Sequence, residues 1–266
     1  MTEQITIGYL SWKRCEILNQ TLKSHKNNGL FDLIPSKNRL IFFQEICEMD
    51  IKIATEFDCN YIGNKKNIGI SNAFIELVKN CKTEYFIFCE NDWNLIENKK
   101  TTELILIDCL NILNNNISDI IKLRHRINHG LPLYSKPKDV ETWLKCNVSK
   151  FPYKLESLCW LPFPNKIYNN ILEEYDGNYK WYTTGLNHQL WSNNIFIGKT
   201  AYLKNNILPL LNNFTLDNNN YSGLEDILIN YNNHLGKNND LDTNIFNYKK
   251  IRITSGEGLF THNDKI

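Results

Sequence analysis

The stretch Glu84-Tyr85-Phe86-Ile87-Phe88-Cys89-Glu90-Asn91-Asp92-Trp93 decides the fold of this 266-residue chain. After Glu84 it is a short, continuous apolar run, which predicts a strand buried on both faces of a parallel sheet. Two acids, Glu90 and Asp92, follow the strand at once. Ligand crevices lie beyond the carboxyl ends of parallel strands, so these acids are the first candidates for chemistry. Taken alone, such a pair is also explained by a polar turn that caps the next helix.

Around this strand the chain alternates short apolar runs with amphipathic ones. The predicted strands cover residues 4–10, 39–46, 59–63, 84–89 and 119–123. The predicted helices cover residues 11–24, 49–57, 71–81 and 101–113, with Ser11 and Ser71 as the N-caps of the first and third. This alternation predicts an α/β fold with a mostly parallel twisted sheet flanked by helices.

The second half of the chain has a looser pattern. Five prolines interrupt an aromatic-rich segment over residues 132–164, where we expect irregular strands and loops without a second independent core. Order returns with a strand near residues 194–197, helices over 199–211 and 224–234, and strand character at 251–253. We therefore predict one domain over residues 1–266.

Composition excludes several classes of protein. The chain is 42% hydrophobic and 22% charged, which is enough apolar matter for a packed core. Its 30 basic and 29 acidic residues give a net charge of +1, too small to collect nucleic acid non-specifically. No apolar run approaches the roughly 18 residues of a membrane-spanning helix, and the first residues do not resemble a signal peptide. We therefore expect a cytoplasmic protein without a transmembrane segment.

The cysteine and glycine patterns exclude further classes. The 8 cysteines include no Cys-x-x-Cys pair, which argues against a zinc knuckle or a thioredoxin-like site and predicts mostly reduced core thiols. No Gly-x-Gly-x-x-Gly or Walker lysine loop is present, which argues against dinucleotide oxidoreductases and P-loop NTPases. The 40 asparagines are typical of an AT-rich genome and say nothing about chemistry.

Three segments in the first half carry a resemblance to a known family. They are Ile7-Gly8-Tyr9-Leu10-Ser11-Trp12-Lys13-Arg14, Asn67-Ile68-Gly69-Ile70-Ser71-Asn72-Ala73 and the acidic motif at Glu90 to Asp92. Their order resembles the nucleotide-sugar-binding half of GT-A fold glycosyltransferases, particularly the inverting family 2 group. The resemblance implies a set of donor-binding residues: Leu10, Ser11, Trp12, Arg14, Gln44, Asn67, Gly69, Asn72, Glu90, Asn91 and Asp92.

The same resemblance implies a metal site. In this family the last acid of an Asp-x-Asp type motif holds a divalent cation on the donor diphosphate, which assigns metal binding to Asp92. Glu90 stands where the first Asp is commoner, and its longer side chain is expected to reach the ribose or a metal-bound water. A histidine that returns near the end of the domain often completes the metal shell, and His262 occupies that place. The expected cofactor is Mn²⁺ or Mg²⁺. An exposed tail histidine is the alternative for His262.

A second resemblance lies in Tyr221-Ser222-Gly223-Leu224-Glu225-Asp226. It is similar to a stretch of inverting transferases in which the Asp is the general base and the Glu holds the acceptor sugar, so Asp226 and Glu225 are the expected catalytic residues. An acidic first helical turn, favoured by the helix dipole, would explain the pair without catalysis.

Together these features predict a metal-dependent, inverting glycosyltransferase of the hexosyltransferase class. Residues 1–125 would form the donor half and residues 126–266 the acceptor half. The donor would be a nucleoside diphosphate sugar, with UDP the commonest nucleotide in the family, and the acceptor a glycan or another hydroxyl-bearing molecule. Two alternatives remain open: a sugar-phosphate nucleotidyltransferase, and a carbohydrate- or nucleotide-binding domain without turnover.

Overall fold

A single mixed sheet organises the protein. The computed structural model describes residues 2–131, 163–185, 188–189, 191–215, 224, 228 and 251–263. The strands are β1 (Ile5–Trp12), β2 (Arg39–Gln44), β3 (Asn60–Asn64), β4 (Tyr85–Glu90), β5 (Trp93–Leu95), β6 (Ile120–Arg124), β7 (Gly130–Leu131), β8 (Glu173–Asp176), β9 (Lys180–Gly185), β10 (Phe196–Lys199) and β11 (Arg252–Asn263). Their main order is β3-β2-β1-β4-β10-β6-β11-β9-β8, and β5 and β7 both pair with β11.

Helices cover this sheet. They are α1 (Cys15–Asn27), α2 (Leu30–Leu33), α3 (Glu48–Glu56), α4 (Gly69–Asn80), α5 (Lys99–Asn114), α6 (Pro164–Ile167), α7 (Thr200–Tyr202) and α8 (Leu208–Thr215), with a π-helical turn at Leu203–Ile207 between the last two. Short 3₁₀ turns occupy Thr2–Gln4 and Ser36–Asn38. In the described part of the chain, no helix has the length and hydropathy needed to cross a bilayer.

The strand directions confirm the predicted α/β class. Strands β1 to β4 are mutually parallel, whereas β10 runs antiparallel to both β4 and β6. Strand β11 is parallel to β6 and antiparallel to β9. Because β1, β2, β4 and β6 point the same way, their carboxyl ends lie at one edge of the sheet.

Strand β4 is buried on both faces, as its apolar run predicts. Phe86 and Phe88 pack into the cluster formed with α4 and the turn Leu203–Ile207. Ile87 and Cys89 pack into the cluster on the other face, which includes side chains of α1 and α5. This two-sided core fixes the end of β4, and with it the acidic motif.

The two serine N-caps were predicted wrongly. Ser11 lies inside β1, paired with Phe43, and the helix begins only at Cys15, because the chain stays extended to Trp12 and then turns at Lys13 with a φ of +52°. Ser71 lies within α4, which begins at Gly69. Strand β11 (Arg252–Asn263) is also longer than the strand predicted at residues 251–253.

Candidate active site

A crevice of about 260 Å³ opens at the carboxyl edge of the sheet, where β1, β2 and β4 end. Leu10 of β1 lies beside Glu90 of β4, and Trp12 lies beside Gln44 of β2. The crevice is lined by Leu10, Trp12, Arg14, Gln44, Asn67, Gly69, Ile70, Glu90, Asn91 and Asp92. Nine of these are donor-binding residues implied by the resemblance, and Ile70 was missed.

The two remaining predicted donor-binding residues do not line the crevice. Ser11 is buried beneath it, where its hydroxyl accepts a 3.4 Å hydrogen bond from the Asn91 amide. Asn72 lies one helical turn along α4, donates to the Ile68 carbonyl and lines a neighbouring cavity. Ser11 therefore supports the acidic motif from below, and Asn72 faces another surface.

Asp92 is the most enclosed acid of the crevice, with 5% of its surface exposed. Its Oδ2 accepts a 3.3 Å hydrogen bond from the Arg14 guanidinium. Its Oδ1 is buried, receives no hydrogen bond from any described residue, and lies 3.4 Å from Nε2 of His262. A buried carboxylate oxygen without a donor is costly, and a cation shared with the imidazole would satisfy it.

His262 reaches Asp92 because β11 changes partners at its end. After pairing with β6, β11 runs antiparallel to β5, which sets His262 opposite Trp93, with ring centroids 4.7 Å apart. The next residue, Asn263, donates its N–H to the Asp92 carbonyl at 2.7 Å. Asp92 and His262, which are 170 positions apart in sequence, are thereby held side by side.

Polar residues on α1 hold the segment that carries the acids. The Thr21 hydroxyl donates to the Asn91 carbonyl at 2.8 Å, and the Ser24 hydroxyl accepts from Leu95 N–H. His25 is fully buried between the Tyr9 hydroxyl and the Trp93 carbonyl. Burial lowers the pKa of His25 to about 4, so the ring is neutral and serves as a rigid strut. Asn28, the C-cap of α1, also donates to the Leu95 carbonyl. The spacing of these four polar residues, at 21, 24, 25 and 28, is that of one helix face, and this spacing was the sequence signal for them.

The rim of the crevice is built by the loops after β1, β2 and β3. The Gln44 side chain accepts the Ile68 N–H, and the Asn67 side chain accepts the Gly69 N–H, both at 2.8 Å. Lys13 and Glu45 form an ion pair across the rim, and both have a positive φ, of +52° and +55°. Non-glycine residues in this conformation store strain and cluster at functional sites.

Arg124, the last residue of β6, holds a neighbouring loop in place. Its guanidinium donates to the carbonyls of His129 and Gly130 and so holds the loop that leads to β7. Arg126 pairs with Glu257 at 3.0 Å, and His125 with Glu97 at 3.0 Å. These residues stabilise β11, which contains His262, and the segments that pack beside it.

No family model and no curated protein matches the chain. Two solved structures of S. aureus TarS 1-349, one of them in complex with UDP, match it with TM-scores of 0.52 and 0.53 at 13% and 12% identity. Each covers 97% of this chain, and 60% and 59% of TarS 1-349. A structure of S. aureus TarS matches with a TM-score of 0.52 at 11% identity, covering 98% of this chain and 36% of that one.

TarS belongs to the GT-A glycosyltransferases. This chain has the GT-A fold. At this level of identity the likeness establishes the fold, and the reaction has to be argued from the site. The chain also spans only about 60% of the TarS 1-349 structure.

The predicted catalytic pair, Glu225 and Asp226, lies outside the described residues. Of the neighbouring positions, Leu224 and Leu228 are helical and buried in the cluster around α4. The described part of the candidate site is therefore the crevice at the ends of β1, β2 and β4.

Proposed function

We propose that this chain transfers a sugar from a nucleoside diphosphate sugar to a hydroxyl acceptor, as a metal-dependent glycosyltransferase. The observation that carries the proposal is the Asp92 carboxylate at the crevice. Within the described part of the chain, its Oδ1 has no hydrogen-bond donor, and it lies 3.4 Å from His262 Nε2. A carboxylate and an imidazole in this arrangement, at the carboxyl ends of parallel strands, suit a divalent cation on a diphosphate.

The crevice offers the donor three kinds of contact. Trp12 is 46% exposed, and its indole can stack on a base or a sugar ring. Arg14, whose side chain is half exposed, supplies a cation for the diphosphate beside Asp92. The first turn of α4 lies at the crevice through Gly69, where the helix dipole favours negative charge. UDP is the proposed nucleotide, supported by the UDP bound to TarS 1-349.

Asp92 and His262 fit the proposed Mn²⁺ or Mg²⁺. When bound, the cation supplies Lewis-acid stabilisation of the negative charge that develops on the departing diphosphate. The protein's part is orientation: Arg14 holds Oδ2 of Asp92, and the β5–β11 pairing holds His262, so the remaining oxygen and nitrogen converge. Glu90, at the end of β4 and on the same crevice wall, is proposed to contact the ribose or a metal-bound water.

The proposed chemical step is a single displacement that inverts the anomeric centre. Asp226 would accept the proton of the acceptor hydroxyl as that oxygen attacks, and Glu225 would hold the acceptor. The argument rests on the resemblance of the Tyr221–Asp226 stretch to inverting transferases.

The first test is nucleotide binding to the purified chain with Mn²⁺ and with EDTA. We expect a nucleoside diphosphate, UDP among those tried, to bind at least 10-fold more tightly with Mn²⁺. Asp92→Asn should remove that metal-dependent gain and leave the EDTA affinity unchanged, because the amide is a poor ligand for a hard cation.

Asp32→Asn is the matched control, since Asp32 is an exposed acid that pairs with Lys99 away from the crevice. Equal affinity with and without metal would remove the metal role of Asp92. Release of free nucleoside diphosphate on adding acceptor identifies a transferase, release of pyrophosphate from a nucleoside triphosphate identifies a nucleotidyltransferase, and binding without either product identifies a binding domain.

A further inference from the structure

A second cluster of metal-ligating side chains lies behind the crevice rim, at the start of two helices. It consists of Cys15, the first residue of α1, together with Cys47 and Asp50 at the start of α3. One ligand atom from each residue lies within 4.8 Å of the others. Within the described residues, these three form the one group of His, Cys, Asp or Glu side chains that meets this spacing.

Asp50 connects the two thiols. Its Oδ1 accepts a 3.1 Å hydrogen bond from the Cys15 thiol, and its Oδ2 accepts the backbone N–H of Cys47 at 2.9 Å. The Cys47 sulfur in turn accepts the backbone N–H of Asp50, which completes a capping box at α3. Asp50 is buried, Cys15 is partly buried and Cys47 is exposed, so a cation can enter from the side of Cys47.

Helix capping alone does not account for the sulfur at position 47. Serine, threonine, asparagine and aspartate are the preferred N-cap residues, and serine would make the same bond. The cap also does not require a second thiol from α1 to share the same carboxylate. Two sulfurs and a carboxylate form a site for a borderline-soft cation, and a serine cap would not.

We propose that Cys15, Cys47 and Asp50 bind a zinc ion, with water in the fourth position. Tetrahedral zinc with 2.3 Å zinc–sulfur bonds places two sulfurs about 3.8 Å apart. Because the ligand atoms lie within 4.8 Å of one another, the cluster reaches this spacing by contracting at most about 1 Å. Binding exchanges two thiol protons for one Zn²⁺: the product holds two thiolates, one carboxylate and the cation, and two protons leave to solvent.

A divalent cation offsets two of the three negative charges that two thiolates and the Asp50 carboxylate would carry, which neither thiol can do for the other.

The site would tie together two loops of the crevice. Cys15 follows Arg14, which holds Asp92, and Cys47 lies three residues after Gln44, which holds Ile68. Zinc would therefore fix the loops after β1 and β2 relative to one another. This role differs from that of the proposed Mn²⁺, because Asp92 and His262 offer no sulfur.

The test is metal binding by the reduced, chelator-treated full chain with excess Mg²⁺ present. We expect one Zn²⁺ per chain, and Co²⁺ in its place should give the intense charge-transfer absorption of cobalt–thiolate bonds. Cys47→Ser keeps the helix cap and removes one of the two sulfurs, so it should weaken Zn²⁺ binding by about 100-fold or more and reduce that absorption by about half or more at saturating Co²⁺. Cys59→Ser, which removes a thiol outside the cluster, should change neither.

Two results would overturn the proposal. One is the absence of cobalt–thiolate absorption from the wild-type chain. This measurement uses no variant, so it does not depend on whether a variant folds. The other is a loss of two mass units from the Cys15 and Cys47 peptides under mild peroxide, together with no Zn²⁺ binding, which would identify a disulfide pair instead. Neither result bears on sugar transfer, because the measurement is of metal and not of turnover.

Discussion

His25 shows how a single buried residue can make the stability of the molecule depend on pH. Burial lowers the pKa of its imidazole from 6.5 to about 4, outweighing the hydrogen bond with the Trp93 carbonyl. Between pH 6.5 and about 4, His25 therefore binds a proton in the unfolded chain but not in the folded chain. The stabilisation that comes with neutral His25 is complete above pH 6.5 and is lost as the pH falls towards 4.

We predict that this loss amounts to about 3 kcal/mol between pH 6.5 and 4, measured by urea unfolding. His25→Gln should be less stable at pH 7, because it disturbs the contacts with Tyr9 and Trp93, but it should lose less stability on acidification. His129→Gln changes a partly exposed histidine and should keep the wild-type slope. Parallel pH profiles for wild type and His25→Gln would contradict the assignment.

Single residues also show why part of the site was predictable. Glu90, Asp92 and Gln44 sit at strand ends, and one apolar run is enough to locate a strand end. Ile70 enters the crevice wall only because α4 begins two residues before Ser71, a shift that no local pattern announced.

Among the elements, β11 was the hardest to predict and matters most for the site. Its 12 residues pair first with β6 and β9, pass through an irregularity between Ser255 and Phe260, and then pair with β5 and β7. The glycines at 256 and 258 break the strand pattern, since glycine weakens a strand and marks bulges or close approaches. Local sequence therefore indicated only residues 251–253, and partner strands that are distant in sequence supply the rest.

The pairing of β7 with β11 predicts a requirement for glycine at position 130. Gly130 has a φ of +72°, and a Cβ there would lie 2.1 Å from the backbone oxygen of His262. Gly130→Ala should cost about 1–3 kcal/mol of stability and push the end of β11 away from Asp92. We expect the Mn²⁺-dependent gain in nucleotide affinity to fall about 10-fold or more.

Gly258→Ala separates strain from site geometry. Gly258 has the same φ of +72°, and a Cβ there would lie 2.1 Å from the backbone oxygen of Arg124, so the stability cost should be similar. Its effect on metal-dependent affinity should be smaller, because the substitution does not press on His262. If the two variants lose the same affinity at matched stability, the close contact between Gly130 and His262 has no special part in the site.

At the scale of the whole molecule, the proposed donor half and the proposed acceptor half were predictable to different degrees. The strands of residues 1–125 alternate regularly with helices, and each places its last side chains at one edge of the sheet. The meeting of Asp92 and His262 depends on a strand pairing between residues 170 positions apart in sequence, which the resemblance implied and local pattern did not. The prediction that Asp226 is the general base likewise rests on its motif alone.

The last prediction concerns Asp226 and the stereochemistry of transfer. A single displacement needs a base on the face opposite the departing diphosphate, and Asp226 in the proposed acceptor half is the candidate. Asp226→Asn should lower turnover by about 100-fold or more while donor affinity, measured with Mn²⁺, stays nearly unchanged, because the lost group acts on the acceptor hydroxyl. Glu225→Gln should chiefly raise the KM for acceptor, and Asp217→Asn, an acid nine residues earlier, should behave as wild type.

The product should carry the anomeric configuration opposite to that of the donor, which proton NMR of the first-formed glycoside reports. Near-normal turnover of Asp226→Asn with unaltered donor binding would return the Glu225-Asp226 pair to an acidic helix start, and a retained configuration would exclude single displacement whatever the variants do.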